Sequence, residues 1–81
     1  MHISTNARHE LASFAMKLAK ELEALPDDDS RSFHLAGKLS VFAATLEDNG
    51  IPEADALAYA AYLTGMVAAA GDVVAGGAEV H

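Results

Sequence analysis

The chain has 81 residues, a formal net charge of −7 and no cysteine. This length suits one domain, and the missing cysteine excludes disulfides, thiolate metal sites and a cysteine nucleophile. All five basic residues lie before residue 39 and only acids follow, so direct binding of nucleic acid, which needs clustered Lys and Arg, is disfavoured.

The first predicted helix covers residues 6–25. Asn6 is a favourable N-cap residue, and apolar side chains recur at alternating steps of four and three from Leu11 to Leu25, which places them on one helical stripe. Pro26 ends this helix because the residue before a proline is pushed out of the α region.

The second predicted helix covers residues 30–49. The preceding run Asp27-Asp28-Asp29-Ser30 lacks the alternate acidic positions and the central glycine of a calcium loop, so it is predicted to cap the helix. At the other end, Gly50 is predicted to take the left-handed conformation of a Schellman cap, in which Ile51 contacts Leu46. The predicted inward stripe of this helix contains Leu35, Leu39, Phe42 and Leu46.

The third predicted helix covers residues 52–75. Pro52 suits its first turn because the missing N–H needs no partner there. The predicted inward stripe contains Tyr59, Leu63, Met66, Ala70 and Val73, with Val67 and Val74 beside it. Gly76 and Gly77 are predicted to end the helix and to leave a frayed tail over residues 76–81. The resulting fold class is all-α, with three antiparallel helices in an up-down bundle that oligomerisation completes.

The third helix carries no charge between Asp55 and Asp72. A helix that is apolar on every side has to be covered by protein or by lipid, and two other helices offer little cover. Ala61, Gly65 and Ala69 form a row of small residues that allows another backbone to come close, and a glycine in mid-helix costs about 1 kcal/mol relative to alanine. The row predicts either a second copy of the chain or close packing by the first two helices.

Aromatic and flexible side chains extend this candidate interface. Tyr59 and Tyr62 are three residues apart and Met66 follows four residues later, and such side chains are enriched in interface cores. The same three side chains would also suit packing within a monomer. The complete predicted interface contains Tyr59, Ala61, Tyr62, Gly65, Met66 and Ala69.

Acidic residues offer a second possible contact surface, which consists of Glu47, Asp48, Glu53 and Asp55. Such a surface attracts a basic partner, although the same charge also serves to keep a protein soluble. The four histidines, at positions 2, 9, 34 and 81, show no metal-ligand spacing, and His34 is expected to be an exposed polar residue. The sequence contains no recognisable nucleophile–base pair or glycine-rich phosphate loop, so it predicts no enzyme, no cofactor and no metal site.

The preferred hypothesis is a non-enzymatic, acidic protein–protein interaction module that forms a homodimer through the third helix. One alternative is an inhibitor or regulator, bacterial or encoded by a phage or other mobile element, that occupies a basic or hydrophobic surface of a host protein. Another is a small membrane-active protein, although the sixteen uncharged residues span only about 24 Å of a hydrocarbon core of roughly 30 Å. The first ten residues lack the basic-then-apolar order of a signal peptide, so a cytoplasmic location is expected.

Overall fold

The computed structural model describes residues 3–79 and the side chains of residues 3–76. This part of the chain forms three α-helices and no strand: α1 (Thr5–Glu23), α2 (Asp28–Asp48) and α3 (Glu53–Glu79). The prediction of an all-α fold with three helices is confirmed. α3 packs chiefly on α1 and less on α2, whereas α1 and α2 contact each other least.

α1 begins and ends earlier than predicted. Its N-cap is Ser4, whose backbone is extended and whose Oγ accepts a hydrogen bond from the Ala7 N–H at 3.1 Å. Asn6 therefore lies inside the first turn, because a serine two residues upstream already satisfies a free N–H group of the helix. The helix ends at Glu23, two residues before Leu25.

α2 starts two residues earlier than predicted because Asp27 acts as its N-cap. The Ser30 N–H donates to Asp27 Oδ1 at 2.7 Å, and Asp28 and Asp29 lie in the first turn. This hydrogen bond from Ser30 lowers the pKa of Asp27 below its ordinary value. The capping role predicted for the acidic run is confirmed at Asp27.

The predicted Schellman cap at the end of α2 is confirmed. Gly50 has φ +92° and its N–H donates to the Glu47 carbonyl at 3.0 Å, while the Ile51 N–H donates to the Leu46 carbonyl at 3.0 Å. These are the two hydrogen bonds that define the motif. The cap fixes the direction in which the chain enters α3.

α3 continues through both of the glycines that were predicted to end it, and reaches Glu79. Within residues 3–79, Gly50 is the glycine with a positive φ, so Gly76 and Gly77 keep the right-handed conformation. A glycine weakens a helix but ends it only where the backbone turns left-handed. The predicted end at Gly76-Gly77 is therefore wrong, and the last two residues of the predicted tail, Val80 and His81, lie outside the described residues.

The core lies between α1 and α3. Leu18 of α1 and Leu63 of α3 are fully buried, and the side chains buried within residues 3–76 are all apolar. α2 has no buried residue and contributes half-buried side chains, of which Phe42 lies with its ring centroid 6.1 Å from that of Phe14. The core cluster contains Ile3, Leu11, Ala15, Leu18, Leu63 and Val67, with Leu35, Leu39 and Phe42 of α2 packed against it.

The arrangement is flat and open. The Cα atoms span 44 × 28 × 14 Å, and the radius of gyration is 13.4 Å. A compact domain of this length has a radius of gyration of about 11.7 Å. The three helices therefore form a thin layer, and a large share of each helix faces outward.

Candidate functional site: the outer face of α3

One side of α3 is buried and the other is open. Ala56, Leu63, Val67 and Ala70 are buried on the inner side. Val73, which was predicted to share this stripe, is 63% exposed. Ten residues after Leu63 an α-helix has turned about 80° away from the same direction, which carries Val73 off the inner side. That part of the predicted stripe is wrong.

We call the opposite side the outer face of α3, and all of its members are exposed. Residues follow one another along its centre at steps of four and three, and further apolar side chains, most of them larger, flank them. The central row is Ala54, Ala58, Ala61, Gly65, Ala68 and Asp72, and the flanks carry Leu57, Tyr62, Ala69 and Val73.

The outer face is apolar and nothing in the described chain covers it. The stretch Glu53–Gly76 has a mean hydropathy of 1.4 and is long and apolar enough to cross a membrane, yet only 17% of it is buried within the protein. Leu57 is 58% exposed and Tyr62 is 37% exposed. A core helix of a soluble monomer would bury most of such a stretch.

The structure divides the predicted interface between the two sides of α3. Tyr59 and Met66 are half-buried and pack against the core cluster, so they do not share an exposed face with Tyr62. The reason is the helical twist, since Tyr62 lies further from the inner side than either neighbour. The four predicted residues that the outer face does bring together are Ala61, Tyr62, Gly65 and Ala69.

Gly65 lies in open space. A Cβ atom built at Gly65 would meet no other atom within 4 Å. The alternative in which the first two helices pack closely on Gly65 is therefore wrong, because neither α1 nor α2 approaches it. Among the described residues, no contact accounts for a glycine at the centre of this helix.

Asp72 belongs to the central row, a position that the sequence analysis did not assign to it. Asp72 follows Gly65 by seven residues, or two helical turns, and it is exposed. Asp72 places one carboxylate on an otherwise uncharged row. Its spacing of seven residues from Gly65 was the signal in the sequence that could have assigned it to this row.

The acids of the predicted second surface are also exposed. Glu47 and Asp48 end α2, and Glu53 and Asp55 lie in the first turn of α3, so all four surround the turn between these helices. In the first turn of a helix, carboxylates favour the positive end of the helix dipole. This local role accounts for Glu53 and Asp55 without a partner.

His34 is not the free polar residue that was expected. It is half-buried, and its Nε2 lies 2.8 Å from Glu21 Oε1, which joins α2 to α1. The hydrogen bond from His34 lowers the pKa of Glu21, and the positive charges of Lys38 and Lys17 act in the same direction. The pair fastens two helices that otherwise make few contacts.

Arg31 makes a second link between the same helices, and sequence reasoning missed it. Its Nε donates to the Leu22 carbonyl at 3.0 Å, and its Nη2 donates to the Leu25 carbonyl at 3.1 Å. Leu22 lies in the last turn of α1 and Leu25 lies two residues beyond its end, so Arg31 donates to the carbonyls of the segment where the helix stops. This contact cannot be predicted from residue spacing, because the donor lies in α2, whereas the acceptors lie at the end of α1 and in the turn that follows it.

Two other apolar surface features lie away from the outer face of α3. An open groove of about 380 Å³ lies between the three helices and is lined by apolar side chains together with Glu10 and Tyr59. On α2, the exposed Phe33 and Val41 border a shallow hollow that includes Gly37. Among the side chains of residues 3–76, no three acidic or histidine groups lie close enough together to hold a metal ion.

Comparisons with known proteins add no functional information. The chain matches no protein-family model, no curated protein and no solved structure.

Proposed function

We propose that this protein is a non-enzymatic interaction module that self-associates through the outer face of α3. The observation that carries the proposal is the uncovered apolar outer face, of which Leu57 and Val73 are the most exposed large apolar side chains. Burial of apolar surface is the main favourable term in protein association. A second copy of the chain supplies a matching surface, and two-fold pairing of identical patches is the commonest form of assembly.

The exposed surface of the chain is large enough to accommodate a second copy as the partner. The accessible surface of the chain is 5446 Å², whereas a folded monomer of 8.4 kDa exposes about 4,600 Å². The surplus is about 800 Å², which is also about what each partner buries in a standard protein–protein interface.

Asp72 favours protein over lipid as the cover. Asp72 is the last member of the central row, so lipid that covered the whole row would have to contact this carboxylate, and a charged side chain in contact with hydrocarbon is costly. α3 carries no basic residue in its described length that could pair with it. In a dimer the same carboxylate can remain at the hydrated rim of the contact.

Two glycines provide a matched test. Gly65 lies on the outer face of α3 and Gly37 lies on the exposed side of α2, and a Cβ atom at either position would have no contact within 4 Å beyond its chain neighbours and its own helix backbone. Gly65→Glu and Gly37→Glu therefore change the net charge and the helix propensity equally. They differ only in the surface that receives the carboxylate.

We expect light scattering after size exclusion, at micromolar concentration, to give a mass of two chains for the original protein and for Gly37→Glu. Gly65→Glu should be monomeric, because two like charges would meet at the two-fold contact, and circular dichroism should show that its helices persist. A monomeric original protein would refute the proposal. So would a dimer that survives Gly65→Glu but dissociates in Gly37→Glu, since the interface would then lie on α2.

The membrane alternative is tested with the same samples. Flotation with neutral phosphatidylcholine vesicles should leave the original protein in the soluble fraction. Vesicle binding that Gly65→Glu abolishes would assign the outer face of α3 to lipid and would contradict the proposal.

A further inference from the structure

We infer that α3 pairs with α3 of a second copy in antiparallel orientation, with the two helices crossing at Gly65. This inference rests on the self-association proposed above, and it adds the direction and the register of the contact.

The spacing indicates a helix that runs alongside α3. The central row advances from Ala54 to Asp72 by steps of four, three, four, three and four residues. This is the 3.5-residue repeat that keeps one side of a helix in contact with a neighbouring helix over many turns. Because every residue of the row from Ala54 to Ala68 is alanine or glycine, a neighbouring backbone can approach it closely.

The charges select the antiparallel direction. α3 carries acids at Glu53, Asp55 and Asp72 and no basic residue in its described length. In a parallel pair each Asp72 would face Asp72 of the partner subunit, and the acidic first turns would also lie side by side. An antiparallel pair that crosses at Gly65 separates the two Asp72 residues by about 21 Å along the axis and leaves each about 4.5 Å along the axis from the partner's Asp55, at about 1.5 Å per residue. Asp55 lies about 100° around the helix from the central row, so the parallel pair is the one that sets two carboxylates directly opposite each other. In an antiparallel pair the two helix dipoles point in opposite directions, and their interaction is then favourable.

The side-chain sizes fix the register. Gly65 is the one member of the central row without a side chain, so the backbones can approach most closely there. A crossing at this point places Ala61 opposite the partner's Ala69. It also places Tyr62 beside the partner's Ala69, so that a large side chain covers a small one on each side of the two-fold axis.

The cysteine-free chain allows this geometry to be tested by disulfide formation. A disulfide requires Cα atoms about 4.4–6.8 Å apart. We would prepare Ala61→Cys and Ala69→Cys as separate chains, with a peptide tag on one of them, and oxidise each alone and in a mixture. Ala36→Cys, at an exposed position of α2, measures the rate of collisional cross-linking.

The mixture should form a tagged–untagged cross-linked dimer at least ten times faster than the Ala36→Cys chain forms its own. Each single variant alone should cross-link no faster than Ala36→Cys, because identical positions would be about 12 Å apart along the axis. Rapid self-linking of both single variants, without the mixed species, would show a parallel pair and overturn the inference while leaving the proposed function intact.

Two further results separate the inference from the proposal beneath it. A dimer by light scattering in which neither the two α3 variants nor their mixture cross-link above the Ala36→Cys rate would overturn the inference, and if that dimer also survives Gly65→Glu the interface lies elsewhere and the proposed function is refuted too. A chain that stays monomeric at all concentrations would also refute both.

Discussion

Replacing Gly50 with alanine should destabilise the fold by about 1 kcal/mol, because an L-residue pays about 1–2 kcal/mol to adopt the left-handed conformation. Gly50 has φ +92°, and a Cβ atom there would meet no other atom within 4 Å. The cost is therefore one of backbone conformation and not of steric contact. With an unfolding entropy of about 2.1 cal/mol/K per residue, the 81-residue chain should lose about 6 °C in melting temperature.

Gly37→Ala is the matched control for this experiment. It adds the same methyl group in equally open space, but Gly37 lies inside α2, where alanine is a better helix former by about 1 kcal/mol. Thermal melts followed by circular dichroism, at one protein concentration, should therefore shift in opposite directions for the two variants. An unchanged or higher melting temperature for Gly50→Ala would contradict the role of the left-handed cap.

Two polar links between α1 and α2 give further predictions. Arg31→Met should lower the free energy of unfolding by about 1–2 kcal/mol in urea titrations, because the Leu22 and Leu25 carbonyls lose charge-assisted hydrogen bonds. Recovery of full stability by Arg31→Lys would contradict this explanation, since a single ammonium group cannot reproduce the two hydrogen bonds that the guanidinium group donates to the Leu22 and Leu25 carbonyls. The hydrogen bond from His34 lowers the pKa of Glu21 in the folded state, so its contribution is complete above the ordinary glutamate pKa of about 4.3 and is lost as the pH falls through the lower, folded value. Urea midpoints between about pH 6 and about pH 2 should therefore show a deficit for Glu21→Gln that disappears in acid, and a deficit independent of pH would refute the ion-pair explanation.

Local signals in the sequence were sufficient to predict the three helices and the turn that joins α2 to α3. Gly50, Leu46 and Ile51 form the predicted cap because every hydrogen bond of that motif lies within six residues. The helix boundaries were predicted less accurately where two nearby residues could both cap the helix. Ser4 and Asn6 are both good N-caps, and only the backbone conformation decides between them.

Features that depend on packing could not be predicted in this way. α3 is apolar on all sides, so its periodicity alone did not reveal that Leu63 faces the core while Val73 faces outward. The pairing of Arg31 with the end of α1 likewise depends on how two helices meet. For the candidate site, the row of Ala61, Gly65 and Ala69 was apparent from its spacing, but its exposure became known only from the positions of α1 and α2.

The absence of buried residues in α2 has a consequence for the order of folding. The core joins Leu18 to Leu63, so the chain must bring its first and last helices together across 45 residues before most apolar surface is removed from water. The conformational entropy lost when such a loop closes grows only with the logarithm of its length, so the length of the loop adds little to the free-energy cost of this contact. We therefore expect α2 to add its half-buried side chains after the pair of α1 and α3 has formed. We also expect α2 to be the helix that opens alone under native conditions, at a lower free energy than unfolding of the whole chain.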